Sequence, residues 1–169
     1  MAGQNVTKSQ WYALYTRSRH EKVVDRLLLE RGLESFLPLC DVLSRWKDRR
    51  KWVRKPLFPG YLFARLESVQ LADAAALRGV VHVVGNGVGP LPVPEAQVEA
   101  VRRLVEKPVP VLPHPYLKAG RRVRVVSGPL TGMEGFVSRD KNGCRFVISV
   151  DLLGRSVAAE IDASALEPL

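Results

Sequence analysis

The sequence predicts an α+β chain in two parts. An N-terminal α/β sandwich, with an antiparallel sheet flanked by helices, is followed across a proline-rich linker by a small five-stranded SH3-like β-barrel. Three observations predict this. Strand-like and helix-like patterns alternate through the first part, as they do around a single sheet. The stretch KPVPVLPHPY, residues 107–116, then carries four prolines in ten residues, a composition that resists helix and sheet and behaves as a semi-rigid polyproline spacer. Beyond it, short β-rich runs are separated by Ser127-Gly128-Pro129, Asn142-Gly143 and Leu153-Gly154, the spacing of strands and turns in a small barrel. The expected divisions are 9–107, 108–116 and 117–169.

The opening QWYALYTRS reads as a strand. SRHEKVVDRLLLERG reads as a helix, with Ser18 as N-cap, Glu21 as its capping-box partner three residues on, and Gly32 as the stop. Its apolar stripe of Val23, Val24, Leu27 and Leu28 is expected to face a sheet. ESFLPLCDVLSRW reads as a strand made irregular by Pro38, and it leads into a hairpin. LADAAALRG reads as a short helix and VVHVVG as a strand. PEAQVEAVRRLVEK reads as a helix that starts behind Pro94 and ends before Pro108.

The hairpin leads into KPLFPGYLFARL, residues 55–66. Phe58-Pro59-Gly60-Tyr61 suits a type II turn, because proline pre-sets its φ and glycine takes positive φ cheaply. Phe58, Tyr61 and Phe63 lie too close together for all three to point into one core. A contiguous aromatic surface marks an interaction site, although core filling is an alternative for Phe58 and Phe63. Directly before the turn, Arg45 to Lys55 holds seven basic residues and one acid, Asp48, with Trp46 and Trp52 interleaved. Such a run is either a solvated hairpin edge protected by charge or a surface for phosphates and unpaired bases.

Composition bounds the function. The chain has 169 residues, 46% hydrophobic and 25% charged, with a formal charge of +9 and a pI near 10.0. It can bury a core, and it favours a polyanionic partner. Up to Pro115 there are 18 Lys/Arg against 11 Asp/Glu, and from Tyr116 on 8 against 6, so most of the excess lies in the first part. Cys40 and Cys144 stand far apart, at neither metal-ligand nor redox-motif spacing, and the start lacks a secretory apolar core, so the cytoplasm is the expected location. No run is long enough to span a membrane. P-loop, zinc-protease and serine-hydrolase motifs are absent. His20, His82 and His114 fall on three different elements, and the GNGVG loop leads into prolines instead of a phosphate-binding helix. No enzyme, cofactor or metal is expected.

Two stretches carry a family resemblance. AGRRVRVVSGPLTGMEGFV resembles the KOW motif: a basic β-branched strand, a Gly-Pro-Leu turn, then glycine before an apolar strand. WYALYTR, PLFPGYLF and RGVVHVVGNG resemble the N-terminal domain of the NusG family. The order of these parts and the linker extend the resemblance over almost the whole chain. The tight turn and short hairpin look more like the specialised RfaH and UpxY paralogues than the housekeeping factor.

The resemblance implies a transcription elongation and antitermination factor. Its aromatic patch would dock on the β′ clamp helices of RNA polymerase, and here the patch would be Tyr15, Phe58, Tyr61 and Phe63. A factor so placed lies over the DNA channel. Arg17, Arg19, Arg45, Lys47, Arg49, Arg50, Lys51, Trp52 and Arg78 would then contact upstream or non-template DNA. The segment VQLADAAALRG lies where relatives meet the β gate loop, but it lacks the His-Thr-Thr pattern of one paralogue. In the family the barrel recruits ribosomal protein S10 or Rho through a loop that here is DLLGRS, with Leu153, Gly154 and Arg155 in the contact. Leucine replaces the family's aromatic there, which weighs against both partners and favours antitermination over termination. A monomer is expected. β-branched strands cut by Asn-Gly argue for a stable barrel over a helical alternative. The rival reading is a KOW-type RNA-binding or ribosome-associated protein, against which stands the modest charge of the barrel half.

Overall fold

The computed structural model describes residues 8–117 and 120–169. The chain runs β1 (Gln10–Thr16), α1 (Glu21–Glu30), β2 (Glu34–Phe36), β3 (Leu39–Trp46), β4 (Arg49–Pro56) and β5 (Tyr61–Leu66). A 3-10 turn leads into α2 (Leu71–Ala75), β6 (Val80–Val83) and α3 (Glu95–Val105). Then come β7 (Val111–His114), β8 (Arg121–Val125), β9 (Glu134–Asp140), β10 (Gly143–Val150), β11 (Arg155–Ile161) and β12 (Leu166–Pro168). Contacts divide the chain into two compact units: the part up to Leu37 with Pro59–Glu95, and Pro38–Phe58 with Ala96–Leu169. Among the described residues no helix is long and apolar enough to cross a membrane.

The first unit is a four-stranded antiparallel sheet in the order β2-β5-β1-β6. Period-two alternation sends Tyr12, Leu14, Leu62, Ala64 and Leu66 to one face, where they form a core with Val24 and Leu28 of α1 and with Ala74 and Leu77. The helix stripe is therefore the expected one, Val24 and Leu28 fully buried and Val23 and Leu27 half-buried. Gly32 ends the helix at φ 72°. Its N–H donates to the Leu29 carbonyl and that of Leu33 to Leu28, the paired bonds of a Schellman cap. The start of the helix corrects the sequence reading. His20, not Ser18, is the N-cap residue, without a side-chain capping bond. The carboxylate of Glu21 serves another element, as described below.

The second unit holds the two-stranded β3-β4 hairpin, most of α3, and a six-stranded antiparallel sheet in the order β12-β8-β9-β10-β11-β7. Five of those strands belong to the expected barrel. The sixth comes from the expected spacer: Val111, Leu112, Pro113 and His114 pair with Ala159, Ala158, Val157 and Ser156. This part of 108–116 is thus strand and not free polyproline. β7 lies at the sheet edge, where Pro113 can lack a ladder donor on its outer side. Gly135, the glycine of the KOW-like pattern, stands where any side chain would collide. An added Cβ would lie 2.8 Å from the Phe146 ring and 2.8 Å from the Val147 carbonyl oxygen.

Candidate docking and nucleic-acid surfaces

The Pro59-Gly60 turn is held by α1 and β1. Gly60 has φ 86°, the left-handed conformation the turn requires. Its N–H donates to Glu21 Oε1 at 2.8 Å, and its carbonyl accepts from the Thr16 N–H at 2.8 Å. Glu21 is only 7% exposed, so a buried carboxylate at the start of a helix fixes the loop that precedes β5. Glycine is needed there for a second reason. The Tyr15 ring lies over it, and a Cβ at residue 60 would come within 3.2 Å of that ring.

Strand register then places three rings in a row. Tyr15 on the central strand is paired with Tyr61 on β5 and with His82 on β6. The Tyr15 ring centroid is 5.2 Å from each of the other two, with the planes tilted by 44° and 45°, within the range of favourable ring pairs. Tyr15 is 37% exposed, Tyr61 half-buried and His82 exposed, with Val81 beside it exposed as well. The row is a ready-made aromatic surface on a rigid sheet. His82 was missed as a member because its strand is distant in sequence; only the pairing of β6 with β1 brings it in.

Phe58 and Phe63 correct the expected patch. They are 2% and 0% exposed, so neither presents a surface. Phe63 shares the face of Tyr61 but lies two residues further along β5, where its ring is stacked with Phe36 at 6.0 Å. Tyr61, next to the turn, is where the strand emerges.

The basic residues fall into two groups. Arg17, Arg19 and Arg78 are exposed on adjoining loops, since the Arg17 N–H donates to the Gly79 carbonyl at 2.8 Å. Arg19 is the one described non-glycine residue with positive φ, 63°. Arg45, Lys47, Arg49, Arg50, Lys51 and Trp52 all lie exposed on the β3-β4 hairpin. Its register pairs Trp46 with Arg49, Arg45 with Arg50, and Leu43 with Trp52. Alternation therefore puts the two tryptophans on opposite faces, Trp52 with Leu43, Arg45 and Arg50, and Trp46 with Arg49 and Lys51.

In the DLLGRS loop Leu153 is buried, 9% exposed, and so corrects its expected place in a contact surface. Gly154 takes φ 57° to end a 3-10 turn, and Arg155 is exposed. Asp151 of the same loop accepts from Tyr116 Oη at 2.9 Å and from Gln97 Nε2 at 3.0 Å, while its N–H donates to Gln97 Oε1. The bond to Asp151 stabilises the neutral phenol and raises the Tyr116 pKa above its ordinary value. Among the described residues no three His, Cys, Asp or Glu side chains are placed to hold a metal ion.

Comparison with known proteins is consistent along the chain. A family model, NusG, described as transcription termination factor nusG, matches residues 9–102. The chain is 30% identical to the transcription termination/antitermination protein NusG of Yersinia pestis, over 95% of this chain and 96% of that one. It is 25% identical to the protein of that name from Pseudomonas aeruginosa, over 94% and 97%. It is 27% identical to the one from Thermus thermophilus, over 92% and 96%. The solved structure described as "Domain interaction in Thermotoga maritima NusG" aligns over 95% of this chain and 97% of that one, with a TM-score of 0.56 at 22% identity, a likeness of fold.

Proposed function

The chain belongs to the NusG family, and from that premise we propose that it is a transcription elongation factor that docks on RNA polymerase and favours processive elongation and antitermination. The family is one of transcription factors and not of enzymes. The observation that carries the docking reading is the row Tyr61-Tyr15-His82, three rings on three neighbouring strands, of which Tyr15 and His82 are exposed and Tyr61 is half-buried. Tyrosines anchor protein interfaces because they add large contact area at low entropy cost while tolerating water when free. The β′ clamp helices are the proposed partner, with Tyr15 and Tyr61 as the anchors.

In this reading the arginines of the two basic groups contact upstream or non-template DNA through phosphates, with strong salt dependence and little reading of sequence. Binding on both sides of the cleft favours the closed clamp and suppresses pausing, because the factor binds the two states with different affinity. The part from 117 to 169 recruits a second protein and the part from 9 to 107 holds the polymerase. With Leu153 buried, the exposed side chains of the DLLGRS loop are Asp151 and Arg155, and Arg155 is the proposed contact with such a partner.

The test is binding of the purified protein to core RNA polymerase and to an isolated β′ clamp-helix fragment. Tyr61→Ala is expected to weaken both by about 2 kcal/mol, the scale of an interface hot spot. If the folded protein binds neither, yet holds structured RNA through residues beyond Tyr116, the KOW-type RNA-binding reading replaces this one.

A further inference from the structure

The DLLGRS loop leads into β11, and the far end of that strand borders a separate pocket within the second unit. Proline and two glycines fold residues 126–133 into a tight loop before β9. The Gly128 carbonyl accepts from the Thr131 N–H at 3.2 Å and from the Thr131 hydroxyl at 2.6 Å, and the Leu130 carbonyl accepts from the Met133 N–H at 3.1 Å. Just beyond β11, Asp162 caps a 3-10 turn, its Oδ1 accepting from the Ser164 N–H and hydroxyl, both at 2.9 Å. The Val126 N–H donates to the Ala165 carbonyl at 2.8 Å, which ties the two loops together. They enclose a cavity of about 330 Å³, at the small end of the range for binding pockets.

The lining is of two kinds. Leu130 and Ala165 are buried and Ile161 is half-buried, whereas Glu160 and Asp162 are exposed. These two acids stand two residues apart on extended backbone, so their carboxylates share a face. Among the described residues neither makes an ion pair. Arg145, directly across the ladder from Glu160, lies 3.6 Å from Asp140, and Arg122 and Arg124 are held by Glu134. The hydrogen bonds from Ser164, backbone first and hydroxyl second, hold the Asp162 carboxyl below its ordinary pKa. In a chain of charge +9, the pocket therefore has an unmatched negative rim above an apolar floor. That combination is complementary to a side chain with a long apolar stem and a cationic end. Guanidinium suits it better than ammonium, because its planar fork meets carboxylates through paired hydrogen bonds.

We propose that this pocket seats an arginine side chain from an extended segment of a partner protein, its stem on Leu130 and Ile161 and its guanidinium on Glu160 and Asp162. Apolar neighbours of that arginine in the segment lie against Pro129 and Val109, which also line the pocket. The hydrogen-bonded loops form the seat in advance, so little ordering is required when the segment binds. The pocket is a second contact face of the barrel, at the other end of β11 from Arg155, and it does not depend on polymerase docking.

The test uses the full chain and a fluorescein-labelled peptide with a single arginine between two leucines, flanked by glycine and serine. Anisotropy measures the affinity, and amide NMR shifts locate the site. The shifts are expected to centre on Gly128, Ile161 and Asp162. The double variant Glu160→Gln, Asp162→Asn is expected to weaken binding by about tenfold, the scale of two charge-assisted contacts at a wet rim. A peptide with neutral citrulline in place of arginine should lose as much. Asparagine is also a good N-cap residue, so the variant keeps the turn, which an unchanged urea midpoint verifies. Glu167→Gln, at an exposed acid on β12, is expected to change affinity by less than about twofold. No binding by the parent chain, equal binding of the citrulline peptide, or an equal effect of Glu167→Gln would overturn the proposal. So would arginine amide binding as tightly as the peptide, the behaviour of a simple counter-ion, or shifts centred on Arg155. The clamp-fragment assay is independent: an effective Tyr61→Ala beside a silent peptide removes only the arginine seat, and the reverse removes only the docking model.

Discussion

The aromatic row and the basic hairpin are both surface features rich in rings, yet they are built in opposite ways. Tyr15 stands on the central pair of strands of a four-stranded sheet, paired on both sides, with a buried carboxylate fixing the turn beside it. The hairpin is a two-stranded ribbon, and from Arg45 to Lys51 all of its residues are exposed. A paired strand with a filled core behind it can hold ring positions to the accuracy that shape-specific docking requires. A ribbon without a core of its own cannot, but it can present charge to a flexible polyanion, where position matters less than sign. The difference teaches which surface is suited to a protein and which to a nucleic acid.

Breaking the rigid side of the comparison gives the largest effect. Gly60→Val puts a β-branched residue at φ 86° with its Cβ against the Tyr15 ring. It is expected to cost roughly 1–3 kcal/mol in backbone strain, read as a lower urea midpoint together with lost clamp binding. Glu21→Ala should follow closely. It removes the acceptor of the Gly60 N–H, at about 1–2 kcal/mol for a partly buried donor left without a partner. Glu21→Gln keeps an acceptor oxygen and should recover most of that stability in the same denaturation series.

Changes on the hairpin should behave differently. The double variant Arg45→Ser, Arg50→Ser is expected to shift stability by less than about 0.5 kcal/mol. The salt dependence of single-strand binding, however, should lose roughly 1.4 units of slope for the two lost phosphate contacts. A stability loss comparable to that of Gly60→Val would mean that the ribbon is structural and the comparison fails. The smallest effect tests the hairpin root. Cys40 is buried and its thiol pKa is raised, so at neutral pH it remains protonated. The sign is that of an acid whose neutral form the fold favours: the contribution to stability is full below the unfolded pKa and is lost as pH rises through the folded one. Maleimide should therefore label half-buried Cys144 well before Cys40, and equal rates would show a hairpin that opens at its base.

Much of this was legible in the chain. The Pro-Gly turn, the Gly32 stop, the α1 stripe and the hairpin are local, set by backbone preference and by periods of two and 3.6 residues. The same locality explains the misses. Ser18 and Glu21 have the spacing of a capping box, but the Glu21 carboxylate is taken by Gly60, 39 residues away. Residues 111–114, inside the proline-rich stretch 107–116, look like part of a spacer because composition does not report that β11 has an edge open to receive them.

By itself the sequence determined the fold class, the basic excess of the first part, the turn that needs glycine, and the family. Each is written in composition, in short-range periodicity or in motifs that survive without coordinates. Only the tertiary structure decided which rings reach the surface. Phe63 and Tyr61 share one face of one strand, and His82 joins Tyr15 from a strand that the sequence does not place beside it. Exposure and adjacency depend on strand order and register, pairings between distant residues that no local pattern encodes.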